Sequence, residues 1–155
     1  MVTRTVEIRT CEERDLDSFH VFGSPEHVKY CREEFARGAT ALTILVAVDE
    51  SDRPVGKLHL DFETRAIERT AILIAAAVTP ALRGRGIGTA LMAAAEECVC
   101  SRGFGAIVLG VEDSNPRALR LYERLGYETF ATDEFRYAGA PVPNPGVWMS
   151  KELEC

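Results

Sequence analysis

The sequence predicts a mixed α/β fold, with one central sheet of about seven strands flanked by four helices in the order β α α β β β β α β α β β. In the second half of the chain, short apolar runs alternate with segments of helical period, which is typical of strand–helix–strand units. In the first half, strands follow one another with only turns between them, which favours antiparallel pairing. No repeat or linker divides the chain, so we expect a single domain over residues 1–155.

The first half of the chain predicts one strand, two helices and two further strands. Their predicted bounds are residues 4–10, 12–22, 25–37, 42–48 and 55–63. Apolar and charged side chains alternate in the first strand, which indicates that one of its faces is buried. The second helix begins with Ser24 and Pro25, an N-cap followed by proline at the first helical position, and Gly38 ends it.

The third predicted strand has the clearest two-residue period of the chain. Its apolar face carries leucines and a phenylalanine, and its other face carries Lys57, His59, Asp61 and Glu63. Such an alternation indicates a strand with one face on the core and the other exposed to solvent or lining a cleft. The two carboxylates of this polar face therefore become candidates for a functional role.

The stretch from residue 71 to residue 100 organises the rest of the chain. Residues 71–78 form an apolar run that stops before Pro80 and suits a strand buried on both faces. The alanines at positions 75–77 either let another group approach the backbone or pack tightly beneath a helix. A helical period begins after the glycine-rich loop. Its predicted apolar face consists of Ile87, Leu91, Ala94 and Cys98.

The start of this helix is unfavourable for a helix that binds nothing. No Ser, Thr, Asp or Asn stands at the N-cap position, and Gly86 and Gly88 each cost up to about 1 kcal/mol relative to alanine. Arg83 and Arg85 add positive charge at the positive end of the helix dipole, which is unfavourable by roughly 0.3–1 kcal/mol each. The same features suit a phosphate or pyrophosphate site, because free N–H groups and guanidinium groups would converge on an anion. A plain glycine-rich turn is the alternative.

The remaining sequence predicts a strand, a helix and two last strands. Their predicted bounds are residues 104–111, 115–125, 127–131 and 146–153, with a proline-rich loop at 138–146. Asn115 and Pro116 open the helix, and Gly126 ends it. Gly110 lies inside the first of these strands, where a glycine often marks a bulge or the approach of a ligand. The unit from residue 71 to 111 should be a right-handed parallel crossover.

Composition and charge restrict the function. The chain is 46% hydrophobic and 27% charged, which is typical of a globular protein. No apolar run approaches the roughly 20 residues of a membrane helix, and residues 1–10 do not resemble a signal peptide, so a cytoplasmic protein is expected. The net charge of −6 argues against nucleic-acid binding. It is compatible with steering a cationic acceptor such as an amine, or with a merely soluble acidic surface.

Cysteines and histidines show no metal-binding or redox spacing. The five cysteines are Cys11, Cys31, Cys98, Cys100 and Cys155. Their number is odd and no C-x-x-C is present, so we expect reduced thiols. The three histidines are scattered, and no metal site is expected.

The loop from Arg83 to Gly88 resembles the coenzyme A loop of GCN5-related N-acetyltransferases, the GNAT superfamily. That pattern is Arg or Gln, two residues, Gly, one residue, then Gly or Ala, and here it lies between the expected strand, proline and helix. The predicted element order is also the one this resemblance implies. The resemblance implies acetyl-CoA as the co-substrate. It places the acetyl-CoA site at Ala76, Ala77, Val78, Arg83, Gly84, Arg85, Gly86, Ile87, Gly88, Thr89, Asn115, Ala118 and Tyr122.

A second segment, residues 115–127, resembles the second signature of the same family. The signature is Asn, two residues, Ala, three residues, Tyr, three residues, Gly, then Phe or Tyr, and every position matches. The resemblance extends over residues 71–153. It implies that Asn115 contacts the pantetheine arm besides capping its helix, and that Tyr122 is a general acid. Spacing alone favours a core aromatic residue for Tyr122, and the resemblance reverses this preference.

Acetyl transfer from a thioester to an amine needs a polarised carbonyl, a neutral amine and a protonated leaving group. Backbone N–H groups around Val78 could form the oxyanion hole. The leaving thiolate, whose parent thiol has a pKa near ~8.5, benefits from a phenol of pKa ~10, which Tyr122 would supply.

The general base stays open at this point. The family's ribosomal-protein N-terminal acetyltransferases have a glutamate five residues before the motif asparagine, where this chain has Gly110, so that activity is not expected. Asp61, Glu63 and Glu112 are the candidate bases. For each of them the pattern favours a solvated surface carboxylate over a base, and a water chain could serve instead.

The sequence therefore predicts an acetyl-CoA-dependent N-acetyltransferase. Its expected acceptor is a primary amine, on a small molecule rather than a protein, with no nucleic-acid or membrane partner; a homodimer is left open. The alternatives are a catalytically silent acyl-CoA sensor of the same fold and a dinucleotide-binding module. The second is disfavoured because G-x-G-x-x-G would need glycine where Thr89 stands.

Overall fold

The computed structural model describes residues 6–136 and 142–155 as one seven-stranded mixed sheet with helices on both faces. This confirms the predicted mixed α/β fold. The strands are β1 (Glu7–Thr10), β2 (Leu42–Val48), β3 (Pro54–Asp61), β4 (Thr70–Val78), β5 (Ala106–Glu112), β6 (Glu128–Phe135) and β7 (Asn144–Glu152). They lie in the order β1-β2-β3-β4-β5-β7-β6, and only β4 and β5 pair in parallel among the described strands.

Four longer helices accompany the sheet, as predicted, but the first is a 3₁₀ helix. The helices are the 3₁₀ helix Glu13–Phe22, α1 (Pro25–Ala36), α2 (Ile87–Ser101) and α3 (Pro116–Arg124), with short 3₁₀ turns at Ala66–Glu68 and Pro80–Leu82. In the first helix the apolar residues Leu16, Phe19 and Phe22 recur every three positions. Because a 3₁₀ helix has three residues per turn, this spacing places all three side chains against the sheet.

Two apolar cores lie on opposite faces of the sheet. Helices α2 and α3 cover one face, and the 3₁₀ helix and α1 cover the other face over the first strands. The predicted apolar stripe of α2 needs a correction, since Ala94 and Cys98 lie at its edge and are only half-buried. The buried residues of α2 are Ile87, Leu91, Met92, Ala95 and Val99.

The polar face of β3 is neither exposed nor lining a cleft, contrary to the prediction. Lys57 and His59 have 0% exposed surface, because the 3₁₀ helix and α1 cover this face. Strand alternation showed correctly that the two faces differ, but it carries no information about which helices pack above each face. The carbonyl of Ala75 in β4 accepts a hydrogen bond from Lys57. Glu34 of α1 lies 3.7 Å from Nδ1 of His59, which has no hydrogen-bond partner among the described residues.

The C-terminal hairpin differs from its predicted bounds. Strand β6 continues to Phe135, and β7 begins at Asn144, because these two residues pair in register. The end of the predicted loop, residues 144–146, is therefore strand. Residues 138–141 of that loop lie outside the described residues.

The prediction of reduced cysteines is wrong for one pair. Cys100 and Cys155 form a disulfide, because the end of the chain returns to the carboxyl end of α2. A separation of 55 residues leaves no local spacing from which this pair could be recognised. Cys11, Cys31 and Cys98 are free. Over the described ranges, no cluster of potential metal ligands is present and no helix is long and apolar enough to cross a membrane.

Candidate active site

A wedge opens in the sheet between the carboxyl ends of β4 and β5. The two strands pair in parallel from Thr70 and Ala106 to Leu73 and Leu109, and no further. Both strands nevertheless continue, β4 to Val78 and β5 to Glu112. Beyond the last pair, each strand presents unpaired backbone groups to the gap. Ligands of α/β sheets bind at the carboxyl ends of parallel strands, so this wedge is the candidate site.

A β-bulge shapes the β4 side of the wedge. Lys57 pairs with Ala77 and His59 with Ile74, so two β4 residues stand opposite one β3 residue. Ala75 has a φ of 54°, in the left-handed region. That conformation costs an alanine roughly 1–2 kcal/mol. Strained positions of this kind cluster at functional sites, and the first two of the three alanines, Ala75 and Ala76, form the bulge.

Backbone N–H groups of β4 point into the wedge. The N–H of Thr79 donates to the carbonyl of Val55 at 2.9 Å, towards β3. Successive residues of a strand point their N–H groups to opposite edges, so the N–H of Val78 faces the wedge. The carbonyl of Val78 accepts a hydrogen bond from Nε of Arg83 at 3.2 Å, which holds Arg83 at the mouth of the wedge.

Helix α2 begins at this mouth without a side-chain cap, as predicted. Gly84 and Gly86 have φ values of 77° and 82°, which glycine adopts readily and other residues do not. The first backbone bond into the helix runs from Ala90 to the carbonyl of Gly86, at 3.0 Å. The N–H groups of residues 87–89 consequently have no partner within the helix. No acidic residue lies in the first turn.

A third arginine joins this loop from α3. If Gly84 carried a Cβ atom, that atom would lie 2.9 Å from Nη2 of Arg117, so the end of this arginine side chain lies directly beside the loop. Sequence reasoning missed Arg117. The signal was present, because Arg117 lies in the first turn of α3, where a cation opposes the helix dipole as at Arg83 and Arg85.

Helix α3 lies against the start of α2 and carries the second motif. Oδ1 of Asn115 accepts from the N–H of Ala118 at 3.2 Å, which confirms the predicted N-cap. Leu121 of α3 lies 3.4 Å from where a Cβ on Gly88 would be. The amino-terminal turns of both helices therefore meet at the same edge of the sheet, which brings the two sequence motifs together.

Tyr122 is a core residue of α3. Its ring is only 8% exposed and packs edge-on against Tyr127, with centroids 5.9 Å apart. Burial raises the pKa of Tyr122, and no hydrogen bond from the described residues offsets this. The phenol is thus protonated at neutral pH.

The structure does not bring Asp61 and Glu63 to the wedge. Asp61 pairs with Ile72, six residues before Val78, which is roughly 20 Å along the strand. Burial acts to raise the pKa of Asp61, but hydrogen bonds from Thr64 and from the N–H of Glu63 outweigh it and lower the pKa. Asp61 therefore caps a turn, and Glu63 is exposed beyond the strand.

Glu112 is the predicted base candidate that lies at the wedge. It ends β5, is half-buried, and accepts a hydrogen bond from Oγ of Ser114 at 3.2 Å. A groove of about 610 Å³ begins at the next residue. It is lined by Asp113, Thr132, Asp133, Glu134, Pro145, Gly146 and Val147. The groove is acidic, which suits a cationic molecule.

The space beside Gly110 is filled by a side chain of the protein and is not open to a ligand. A Cβ on Gly110 would lie 2.6 Å from Cε1 of Phe135, and one on Gly146 would lie 2.6 Å from Cε2 of the same ring. Phe135 also packs against Trp148, with ring centroids 5.3 Å apart. An aromatic pair therefore covers β5 beside Glu112, where the sequence suggested a bulge or a bound ligand.

Curated proteins similar to this chain match it over only part of their own length. The mycothiol acetyltransferase of Rhodococcus opacus is 46% identical over 57 residues, which are 37% of this chain and 19% of that protein. The mycothiol acetyltransferase of Mycobacterium avium is 33% identical over 105 residues, which are 62% of this chain and 33% of that protein. The chain thus spans between about a fifth and a third of the length of these two relatives.

Among solved structures, the ribosomal-protein-S18-alanine N-acetyltransferase from Escherichia coli has a TM-score of 0.80 to this chain. The match covers 97% of this chain and 96% of that chain at 19% identity, so it shows the fold alone. The sequence model of the Acetyltransferase (GNAT) family matches residues 8–127, which is most of the chain and includes both motifs. The protein therefore belongs to the acetyltransferase (GNAT) family, as the resemblance of its two motifs implied.

Proposed function

We propose that this protein transfers the acetyl group of acetyl-CoA directly to a primary amine of a small molecule, as a single domain over residues 1–155. One observation carries the proposal: the wedge between β4 and β5 opens beside a helix start whose N–H groups have no cap. The family uses acetyl-CoA as its co-substrate, and the residues at this edge of the sheet fit that molecule.

The diphosphate of acetyl-CoA would bind at the start of α2. The N–H groups of residues 84–89 and the helix dipole supply partial positive charge. Three guanidinium groups supply full charge, from Arg83, Arg85 and Arg117. This arrangement explains why glycine and arginine occupy positions that an empty helix would give to a cap and an acidic first turn.

The pantetheine arm would lie in the wedge as an extended chain. The unpaired edge of β4 at Ala76, Ala77 and Val78 offers it backbone partners, in the way a strand edge binds a peptide. Asn115 and Ala118 would contact it from the start of α3. The thioester then lies where the N–H of Val78 can donate a hydrogen bond to the carbonyl oxygen and stabilise its developing negative charge.

Tyr122 would protonate the departing thiolate. A phenol kept neutral by burial is a competent donor at neutral pH. On the acceptor side, Glu112 would take the proton of the attacking ammonium or of a bridging water. The acidic groove beside Glu112 supports a cationic acceptor, and the net charge of −6 would favour its approach.

The test is coenzyme A release from acetyl-CoA in the presence of an amine panel. The panel contains polyamines, amino acids, aminoglycosides, an amino-terminal peptide and, because of the curated relatives, a mycothiol-type amine. Release with a small primary amine and a 1:1 acetylated product supports the proposal. Tight coenzyme A binding with no release for any amine would instead indicate an acyl-CoA sensor.

A further inference from the structure

A lysine is completely buried beneath the sheet next to the wedge. Lys57 lies on the covered face of β3, with the rings of Phe19 and Phe22 at 5.8 and 5.9 Å from its Nζ. Lysine is almost never fully buried unless its amine has specific partners, because desolvation disfavours the charged form. The partners of Nζ therefore indicate what the residue does.

The shortest hydrogen bond of Lys57 goes to the bulge of β4. Its Nζ donates to the carbonyl oxygen of Ala75 at 2.7 Å. Ala75 is the bulged residue with the left-handed φ of 54°. A left-handed alanine persists only where its surroundings enforce it. Lys57 supplies that enforcement from the strand opposite.

The second partner of the amine orients it. Nζ lies 3.1 Å from Nε2 of His59, which can accept a hydrogen bond from the amine in the tautomer that carries the ring proton on Nδ1. Nδ1 faces Oε1 of Glu34 at 3.7 Å. Glu34 is itself fixed by the hydroxyl of Tyr30 at 2.8 Å. The titratable groups around the amine are His59, His27, Glu34, Cys11 and Cys31.

Fixing one end of a peptide group fixes the other end. The peptide between Ala75 and Ala76 is planar, and its N–H points opposite to its C=O. The bond from Lys57 to the carbonyl of Ala75 therefore also fixes the direction of the N–H of Ala76. The N–H that strand alternation directs into the wedge is that of Val78, three residues further along β4.

We propose that Lys57 is a positioning residue for acetyl transfer, which holds the Ala75 bulge so that the backbone N–H groups of β4 bind the thioester carbonyl. The inference rests on the proposed function and deepens it. Lys57 contacts neither substrate. It acts through Ala75, and its loss would impair recognition of the acetyl group while leaving the diphosphate site at α2 intact.

The test compares acetyl-CoA with coenzyme A on the wild type and on Lys57→Met, which keeps the chain length but removes the donor. By calorimetry, the wild type should bind acetyl-CoA more tightly than coenzyme A, and Lys57→Met should lose this preference with coenzyme A affinity within about twofold. With the best amine, kcat should fall by about 100-fold while KM for acetyl-CoA stays within about threefold. If Lys57→Met does not fold, the same measurements are made on Lys57→Gln. The glutamine side chain is one bond shorter than lysine, so its amide does not reach the carbonyl of Ala75.

A rescue experiment separates positioning from general stability. Glycine adopts a left-handed φ without enforcement, so adding Ala75→Gly to Lys57→Met should recover at least about threefold in kcat. The control is Lys151→Met, which removes a partly buried amine far from the bulge, the partner of Glu96 at 2.9 Å, and should leave kcat unchanged.

The outcomes separate the inference from the proposed function. A wild type that binds no coenzyme A overturns the proposed function and this inference with it. If the wild type is active, and Lys57→Met keeps both the preference for acetyl-CoA and kcat, only the inference is overturned. If the wild type binds coenzyme A but acetylates no amine, the acetyl-CoA preference still decides the role of Lys57.

Discussion

Tyr122 shows how one residue can be both core and chemistry. Its ring packs against Tyr127 within the apolar cluster, as spacing alone suggests. Burial raises the pKa of Tyr122, so its phenol is neutral at neutral pH. Under the proposed function, this phenol donates its proton to the sulfur of acetyl-CoA.

Replacing Tyr122 by phenylalanine should therefore separate chemistry from binding. We expect kcat of Tyr122→Phe to fall by about 10²-fold or more, because a positioned acid is lost while the ring still fills the core. Coenzyme A affinity should not change. The control is Tyr127→Phe, which loses a hydrogen bond to Glu96 at 3.2 Å but should keep its activity. Full activity of Tyr122→Phe would refute the acid role.

His59 should dominate the response of stability to mild acid. Burial lowers the pKa of His59 from its usual 6.5 to about 4. As the pH falls through 6.5, the unfolded chain therefore takes up a proton that the folded chain does not. The free energy of unfolding must then decrease from pH 6.5 towards pH 4, and it recovers as the pH rises. The lowered pKa of His27, again caused by burial, adds in the same direction.

Denaturant unfolding between pH 5 and pH 7 measures this response. We expect the free energy of unfolding to fall towards pH 5 with a slope that approaches about 1.4 kcal/mol per pH unit for His59. The variant His59→Gln should flatten the slope, whereas the exposed His20→Gln should not. Above pH 5 the carboxylate of Glu34, whose pKa is lowered, stays ionised in the folded protein. An unchanged slope in His59→Gln would mean that its imidazole is not held neutral.

At the scale of elements, the start of α2 is the feature on which binding depends. Local rules predict its instability, and the structure shows the uncapped turn next to three guanidinium groups. Arg117 arrives from α3, so the proposed diphosphate site would be shared by two helices. Gly84 itself is explained by its φ of 77°, which glycine adopts readily.

Arg117 should consequently contribute to coenzyme A affinity. We expect Arg117→Ala to raise the Kd for coenzyme A about fivefold, or about 1 kcal/mol, because it loses one charge-assisted contact at an exposed site. The affinity should also depend less on salt. Arg120→Ala on the same helix, an exposed control, should bind normally. Equal weakening by both variants would indicate only a general effect of charge.

Most elements could be predicted from the sequence because their apolar period and end signals are local. Ser24, Asn115 and Gly126 cap or end helices as expected. Contacts between distant elements could not be predicted. Asp61 was assigned to the site because alternation does not tell which end of a strand faces the ligand. Phe135 fills the space of Gly110 only because β6 and β7 bring it across β5.

At the scale of the whole molecule, the wedge and the disulfide lie at opposite ends of α2. Cys100 lies near the carboxyl end of that helix and bonds Cys155, which fixes the end of the chain. The start of the same helix forms the proposed acetyl-CoA site. Cross-linking a long segment stabilises mainly by restricting the unfolded chain, so the disulfide should affect stability and not catalysis.

The variant Cys155→Ser tests whether the disulfide affects stability and not catalysis. For a closed segment of 55 residues, we expect a loss of about 4 kcal/mol in the free energy of unfolding under oxidising conditions. The kcat should stay within about twofold of the wild type, since the disulfide and the wedge lie at opposite ends of α2. Cys98→Ser, a nearby free cysteine, is the control. A large loss of kcat in a folded Cys155→Ser protein would contradict this expectation.

A crystal structure of the protein with acetyl-CoA tests the central claim most directly. The account predicts that the diphosphate contacts the N–H groups of residues 84–89, that the pantetheine arm separates β4 from β5, and that the thioester oxygen lies within hydrogen-bond distance of the N–H of Val78. Electron density for acetyl-CoA outside the wedge, or a diphosphate that leaves the start of α2 empty, would contradict it.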